Sequence, residues 1–436
     1  MKSINYGILL MIFIMLILAC DDIIDPIHVE SGMDVQMEKM SDACNAKIKD
    51  GDASRQILAN ELYTYLLKRI GRDDKEYKFS KRYPNYYGGA YITEEGRLVI
   101  LLKNGIGRDT IGKILRNDKI VDYKDCKYSY QELLDFMHYL DEQIELLPPN
   151  IQKNLKMYYI DDRNNRIVVG LVNDDASLID ELRSSVIDFP AVVYVKVHMM
   201  LDSGPMPNPI DMTGDMDLKP GGFISRKIGE STYGSMAFRA RFVNDTSTVG
   251  MVTAGHLLSD SAFYHSYYIG IAYPKQVAGS MDAAFVEVDE NPRPSLQRIA
   301  FHPLNIMEFD MSMINPPDTL VVTLSTDVIV PGVGTIINKR GYRTGRTTGV
   351  VLSTCYSGVL TISQSNTIHV HDMMAATYYS DFGDSGGIVY TYYSLTGVRA
   401  TVGVHSASYC DSVNNRHISV FSKADNILNV FGLERY

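Results

Sequence analysis

The run "DFGDSGGIVY", residues 381–390, holds the residue types with the most chemical promise. Glycine weakens a strand interior and marks a bulge or a close backbone approach, yet here glycines flank a serine inside an otherwise strand-like run. A serine hydroxyl is a poor nucleophile until a base takes its proton, and acyl transfer also needs backbone N–H groups aimed at the developing oxyanion. Glycines around Ser385 let the chain turn sharply enough for the N–H groups of Gly383 and Ser385 to converge. The base such a serine needs is a histidine oriented by a buried carboxylate. Upstream, "MVTAGHLLSD" reads as a strand ending in a tight turn that presents His256, and "AGSMDAAFVEV" sets Asp282 just ahead of an apolar strand. Alone, each has a plainer reading: a structural histidine, an Asp capping a turn, a loop serine. Together and in the order His, Asp, Ser they form a candidate triad.

Two kinds of chain surround these residues. Residues 53–70 carry Ile57, Leu58, Leu62, Leu66 and Leu67 at helical spacing. "AYITEEGRLVILLKN" reads as a hairpin turned by Glu-Glu-Gly, and "SYQELLDFMHYLDEQIELL" as a helix stopped by Pro148 and Pro149. "MYYIDDRNNRIVVGLV" repeats the hairpin signal, followed by a helix near "DASLIDELRSS" and a strand at "AVVYVKV". This α+β lobe takes residues 51–200, and a Pro, Gly and Asp-rich linker takes 201–221. From 222 to 436, short Val, Ile, Tyr and Thr-rich runs between turn residues predict an all-β barrel or sandwich, with one helix at "SKADNILNVF".

The chain has 436 residues and a net charge of −10, which argues against the basic footprint that nucleic-acid binding requires. Residues 1–20 begin with a lysine and an apolar run from Ile8 to Leu18, too short for a comfortable membrane span and fitting a secretory signal. Ala19-Cys20-Asp21-Asp22 resembles a bacterial lipobox, with Leu18 where a small residue is preferred; lipidation of Cys20 and plain signal cleavage are the two outcomes. Residues 21–50, polar and poor in aromatics, predict a tether or disordered lead. Export permits disulfides among Cys44, Cys126, Cys355 and Cys410, in any of three pairings, and unpaired thiols are the alternative. No CxxC occurs, the proposed chemistry needs no cofactor, and His369 and His371 of "HVHD" read as a strand pair before they read as metal ligands. Asn244 heads a glycosylation sequon.

TAGH, GDSGG and "KRGYRTGRTTGVVLSTCYSGVL", with GRTTG at 345–349, resemble the chymotrypsin-like endopeptidases of the streptogrisin and α-lytic protease group. "YYGGAYITEEGRLVI" and "YIDDRNNRIVVGLV" are similar to the two hairpins of that group's pro-region. The resemblance implies a double six-stranded β-barrel over 222–436, preceded by a pro-region that assists folding and inhibits the enzyme. His256 would then be the general base, Asp282 its orienting carboxylate, Ser385 the nucleophile, and Gly383 with Ser385 the oxyanion hole. It further implies that Ser406 hydrogen-bonds the buried aspartate and starts the substrate-pairing segment, and that Arg343 pairs with Asp384. Tyr342 and Asp381 stand where disulfide-rich members of the group have cysteines, so two expected bridges are missing.

Glutamate-selective relatives carry a histidine before the equivalent of Ser406. Here His405, with Ser408 and Ser380, predicts a pocket for Glu or Asp at the cleaved position, because a carboxylate entering an apolar pocket needs charge-assisted partners. Phe382 stands where some such enzymes have serine, and His405 filling the strand is the plainer reading. The linker holds Asp202, Asp211, Asp215 and Asp217 but no Glu, so a strictly Glu-specific enzyme would cut itself elsewhere. The substrates implied are polypeptides, and the pro-region is the partner within the chain. The competing class is a catalytically inactive surface protein that uses the same fold to bind peptides or proteins.

Overall fold

Helix, hairpin, helix and strand are used twice in the first half of the chain of this computed structural model. It describes residues 50–74, 81–116, 119–186, 188–199, 217–226, 233–264, 267–288, 300–301, 305–308, 320–363, 366–392, 399–411 and 416–436. Residues 1–49, where a signal and most of a tether were expected, therefore lie outside the described residues, as do most of the residues expected to form a linker. Among the described residues no helix is long and apolar enough to cross a membrane.

The first unit runs α1 (Asp50–Ile70), β1 (Tyr87–Ile92), β2 (Leu98–Lys103), α2 (Arg108–Ile114) and β3 (Val121–Cys126). The second runs α3 (Tyr130–Gln143), α4 (Pro149–Asn154), β4 (Leu155–Asp161), β5 (Arg166–Leu171), α5 (Ala176–Ser185) and β6 (Val192–Met199). In each, two antiparallel strands are followed by a helix that carries the chain over to a parallel third strand. A reciprocal capping box starts α3: Ser129 Oγ accepts from the Glu132 N–H at 3.2 Å, and Glu132 Oε2 accepts from the Ser129 N–H at 2.7 Å. The two prolines expected to stop that helix divide their work. Pro148 stays extended while Pro149 opens α4, because a first helical position needs no N–H. Leu66, Leu133, Met137, Ile100, Tyr158 and Ile160 meet in one core that welds both units.

Two large sheets make up most of the described second half. In the first, β7 (Phe223–Ser225), β8 (Tyr233–Ser235), β9 (Arg239–Phe242), β10 (Val249–Thr253), β11 (Ser261–Tyr264), β12 (Tyr267–Ala278) and β13 (Met281–Val288) are joined from the far end of the chain by β22 (Leu433–Glu434). Their order across the sheet is β8-β7-β11-β12-β13-β10-β9-β22. The second sheet is built from β14 (Asn305–Glu308), β15 (Leu320–Val328), β16 (Ile336–Gly341), β17 (Gly345–Ser363), β18 (Asn366–Ala376), β19 (Ile388–Tyr392), β20 (Arg399–Asp411) and β21 (Arg416–Lys423). Helix α6 (Ala424–Phe431) buries Ile427 and Phe431 against the first sheet. The linker is not wholly irregular: Asp217–Leu218 pairs in parallel with Ala300–Phe301.

The α+β lobe does not stand apart. Strand β4 extends the second sheet by pairing with β17, Tyr159 opposite Tyr356 and Met157 opposite Gly358. Strand β6 pairs antiparallel with the end of β20, Val197 opposite Asp411 and Met199 opposite Tyr409. Elsewhere Asn60 Oδ1 of α1 accepts from the Gly332 N–H at 3.1 Å and the Thr335 hydroxyl at 2.8 Å. Burial of these strand edges and the apolar faces behind them is what holds lobe to domain.

Candidate active site

The imidazole is positioned first. Strand β10 ends at Thr253, and a short turn over Gly255–Leu257 swings His256 toward the neighbouring strand β13. There Asp282, fully buried, holds it twice: Oδ2 lies 2.6 Å from His256 Nδ1, and Oδ1 accepts the His256 backbone N–H at 2.9 Å. This double grip fixes the ring through Nδ1 and leaves Nε2 as the nitrogen that Asp282 does not hold. Burial alone would lower the imidazole's pKa, but the charge and hydrogen bond of Asp282 outweigh it and raise it above the ordinary value.

Ser385 sits in the turn ahead of β19. Gly386 has φ +84°, and a Cβ there would lie 2.1 Å from the Ser235 carbonyl oxygen and 2.2 Å from Thr253 Oγ1. Only glycine lets this turn reach the end of β10, which is how the serine comes beside the histidine's strand. Gly383, at φ +97°, is pressed in the same way against the Tyr233 ring. The Asp384 N–H binds the Asp381 carbonyl and the Gly386 N–H binds the His405 carbonyl. Among the described residues the N–H groups of Gly383 and Ser385 donate to no protein acceptor, so both remain available for an oxyanion. The Ser385 hydroxyl donates to the Ser406 carbonyl at 3.1 Å.

Two of the implied supports are met differently. Arg343 was expected to pair with Asp384, but the cation at that carboxylate is Lys339, whose Nζ is 2.7 Å from Oδ2 with neither side chain exposed. Lys339 lies on β16, directly opposite Val389 at the start of β19, so its side chain reaches inward. Arg343 contributes its backbone N–H to Asp384 at 3.0 Å and turns its guanidinium to Asp381, 3.8 Å away. Thr344 adds its N–H at 3.0 Å and its hydroxyl at 2.6 Å. Burial raises the Asp384 pKa, but Lys339 and these donors more than reverse it, leaving the carboxyl below the usual range. Ser406 was expected to bind the buried aspartate through its hydroxyl. That hydroxyl is buried without a partner among the described residues, and it is Ser422 Oγ that meets the Asp282 N–H at 2.9 Å.

A cluster of buried polar side chains gathers on β20, on β21 and in the segment that leads to Ser385. His405 Nδ1 is 3.0 Å from the Tyr378 hydroxyl, and burial, helped by the Lys339 charge, pushes its pKa down to about 3. Ser380 meets His417 Nε2 through both its N–H and its Oγ at 3.3 Å, and its Oγ is 3.1 Å from Ser419 Oγ. Burial, again with Lys339, pushes His417 down to about 4. The Ser408 hydroxyl is buried with no partner among the described residues. His417 was not picked out from the sequence; the "HIS" run at 417–419 carries no motif, and only the pairing of Ser408 with Ser419 brings it here. Phe382 packs edge-on against Tyr233.

Cys126, Cys355 and Cys410 carry free thiols, so of the alternatives the sequence leaves open these three take the unpaired one. Cys355 is sealed in the core shared with the α+β lobe, and Cys126 gives its S–H to the Tyr128 carbonyl. His369 and His371 part company: His369 Nε2 is 3.1 Å from the Tyr158 hydroxyl, while the His371 backbone pairs with Gly279.

Residues 47–126 match the family described as Pro-like N-terminal domain, and residues 131–197 the one described as Pro-like C-terminal domain. No curated protein matches the chain. Among solved structures it is similar to a Nocardiopsis protease at 19% identity and a TM-score of 0.38, over 50% of this chain and 100% of that one. A second is a glutamic acid specific serine protease described as using a novel histidine triad in substrate binding, at 21% identity and a TM-score of 0.37, over 50% and 99%. A third is Thermobifida fusca protease A, at 19% and 0.35, over 50% and 97%. The two Pro-like matches take up the α+β lobe, and behind it the chain forms the two large sheets described above.

Proposed function

We propose that the chain is a serine endopeptidase made as a zymogen, exported and anchored through Cys20 or released. His256 takes the proton of Ser385 as its oxygen attacks a peptide carbonyl. Asp282 stabilises the imidazolium that results, and the N–H groups of Gly383 and Ser385 receive the oxyanion. The proton passes to the leaving amine, and water then hydrolyses the acyl-serine. The observation that carries this reading is the doubly held imidazole: His256 bound at 2.6 and 2.9 Å to a fully buried Asp282, at the end of the strand against which the Ser385 turn packs through Gly386. A fluorophosphonate probe labels the matured protein and fails to label Ser385→Ala; an unlabelled, correctly matured protein would instead favour the peptide-binding class.

The cleaved residue is acidic in this reading. Ser408 offers a buried hydroxyl with no partner among the described residues, and His405 and His417 are neutral imidazoles in the same cluster. A neutral imidazole N–H and a free hydroxyl can each donate to an entering carboxylate, which lessens the cost of burying it. The pro-region inhibits by holding the end of β20, the strand beside Ser385.

A further inference from the structure

Asp282 stands just past the turn that joins β12 to β13, and that turn is gripped from two directions. Strand β18 takes it on one side: the Gly279 N–H donates to the His369 carbonyl at 2.9 Å, and the His371 N–H donates to the Gly279 carbonyl at 2.8 Å. The junction of β21 with α6 takes it on the other. Ser422 Oγ, fully buried, accepts the Asp282 N–H at 2.9 Å and donates to the Asp282 carbonyl at 3.2 Å, while Asn426 Nδ2 donates to the Ser280 carbonyl at 2.9 Å. These bonds leave the carboxylate itself to His256 and fix the backbone from which it projects.

One ion pair ties the two grips to each other. Strands β18 and β21 pair with Met374 opposite Phe421, and the same register carried onward brings Met373 to Ser422 and Asp372 to Lys423. Lys423 Nζ lies 2.6 Å from Asp372 Oδ1, with both side chains mostly buried. Asp372 reaches it from a backbone at φ +54°, the left-handed region that few residues with side chains enter. The strand is bulged here: the step from Tyr356 to Gly358 on β17 is matched by the longer one from Met373 to Val370 on β18. That bulge contains both His371, whose N–H holds the turn, and Asp372, whose charge holds Lys423. Backbone strain persists where the surroundings over-determine a conformation, and such places cluster at working sites.

We propose that Asp372 and Lys423 are positioning residues for the triad: their ion pair locks the β18 bulge to the β21–α6 junction, so that Gly279 and Ser422 hold the Asp282 backbone in the one place from which its carboxylate meets both the Nδ1 and the backbone N–H of His256. The inference rests on the endopeptidase reading above. Removing one partner of a mostly buried pair leaves the other charge uncompensated, and it moves toward water. That movement draws Ser422 or the bulge with it and shifts Asp282. The pair acts through Asp282 and not on the peptide, so it bears on kcat and not on KM. A displacement of about 1 Å caused far from the chemistry can cost about 10²-fold in rate.

Protein expressed as the full chain is titrated with a fluorophosphonate, and kcat and KM for a peptide substrate are taken per reactive site. Lys423→Met and Asp372→Asn each lower kcat about tenfold to hundredfold with KM unchanged. The acid limb of kcat/KM moves down toward about 6.5 as Asp282 loses its hold on the imidazole. Asparagine enters the left-handed region as readily as aspartate, so Asp372→Asn removes the charge and keeps the backbone. Lys423→Arg keeps the charge and recovers most of the lost kcat. Ser422→Ala deletes one hydroxyl, leaves the ion pair in place and lowers kcat in the same way, which keeps the test open if the charge variants fail to fold. Variants whose urea midpoints fall while kcat per reactive site and the acid limb stay as they were overturn the inference and leave the endopeptidase reading intact. An unaltered protein that neither labels nor hydrolyses overturns both.

Discussion

Replacing Lys339 by methionine probes the loop that carries Ser385. Methionine keeps the length and removes the charge 2.7 Å from Asp384. Taking one partner from a buried ion pair is worth about 3–5 kcal/mol, because the remaining charge is left uncompensated. Against that stand the Arg343 and Thr344 N–H groups and the Thr344 hydroxyl. Hydrogen bonds to a charged group contribute about 1.5–3 kcal/mol each. The two sides are comparable, so the domain stays folded while Asp384 either takes up a proton or swings toward water. Either movement displaces Gly383 and Ser385, its immediate neighbours. Loss of a single oxyanion donor lowers kcat by about 10²–10³, and that is the fall expected for Lys339→Met, with KM little changed. Peptide hydrolysis by matured protein, normalised to fluorophosphonate-reactive sites and paired with urea unfolding, measures it. The pH profile separates charge from packing. Burial holds the Lys339 ammonium below its ordinary value of about 10.4 despite Asp384, so activity falls on the alkaline side before an exposed lysine would titrate. Lys339→Arg, whose cation does not titrate there, moves that fall upward. Asp384 acts at the other end: its lowered pKa contributes stability above about pH 3.9 that is lost as the pH drops through its folded value. A folded Lys339→Met with unchanged kcat and an unchanged alkaline limb would refute the reasoning.

Further outcomes follow from the same geometry. Asp282→Asn leaves the fold and lowers kcat by about 10⁴, as expected when an imidazole loses the carboxylate that sets its tautomer. In the unaltered enzyme, activity needs neutral His256, so the acid limb of kcat/KM has its midpoint above about 6.5, and a midpoint below that value contradicts the coupling to Asp282. The same raised pKa stabilises the fold below about pH 6.5, and that contribution disappears as the pH rises through the folded value. His405→Phe and His417→Phe each reduce the preference for Glu or Asp over Leu at the cleaved position about tenfold or more, read from a fluorogenic peptide panel; an unchanged ratio removes both histidines from the pocket.

The helices α1, α3, α5 and α6 and the hairpins β1–β2 and β4–β5 were readable because each repeats its apolar residues at its own period over enough positions. The α2 and β3 pair that completes the first unit was not. Helix α2 has seven residues and starts from Gly107 in a left-handed conformation, and β3 reads "VDYKDC", where charge hides the strand. His256, Asp282 and Ser385 could be picked out because their neighbours are unusual locally, glycine above all. Lys339 and His417 have ordinary neighbours. Their importance comes from what they face.

The amino-acid sequence by itself settled matters of short range: where the chain turns, which runs are helix or strand, and that a serine stands between glycines bare enough to reach a neighbouring strand. The tertiary structure alone decided which cation meets Asp384, which serine meets Asp282, and which edge of β20 the last strand of the α+β lobe takes. Those are outcomes of sheet register between residues far apart in the chain, and a shift of one residue in register would exchange every partner while leaving each local pattern as it was.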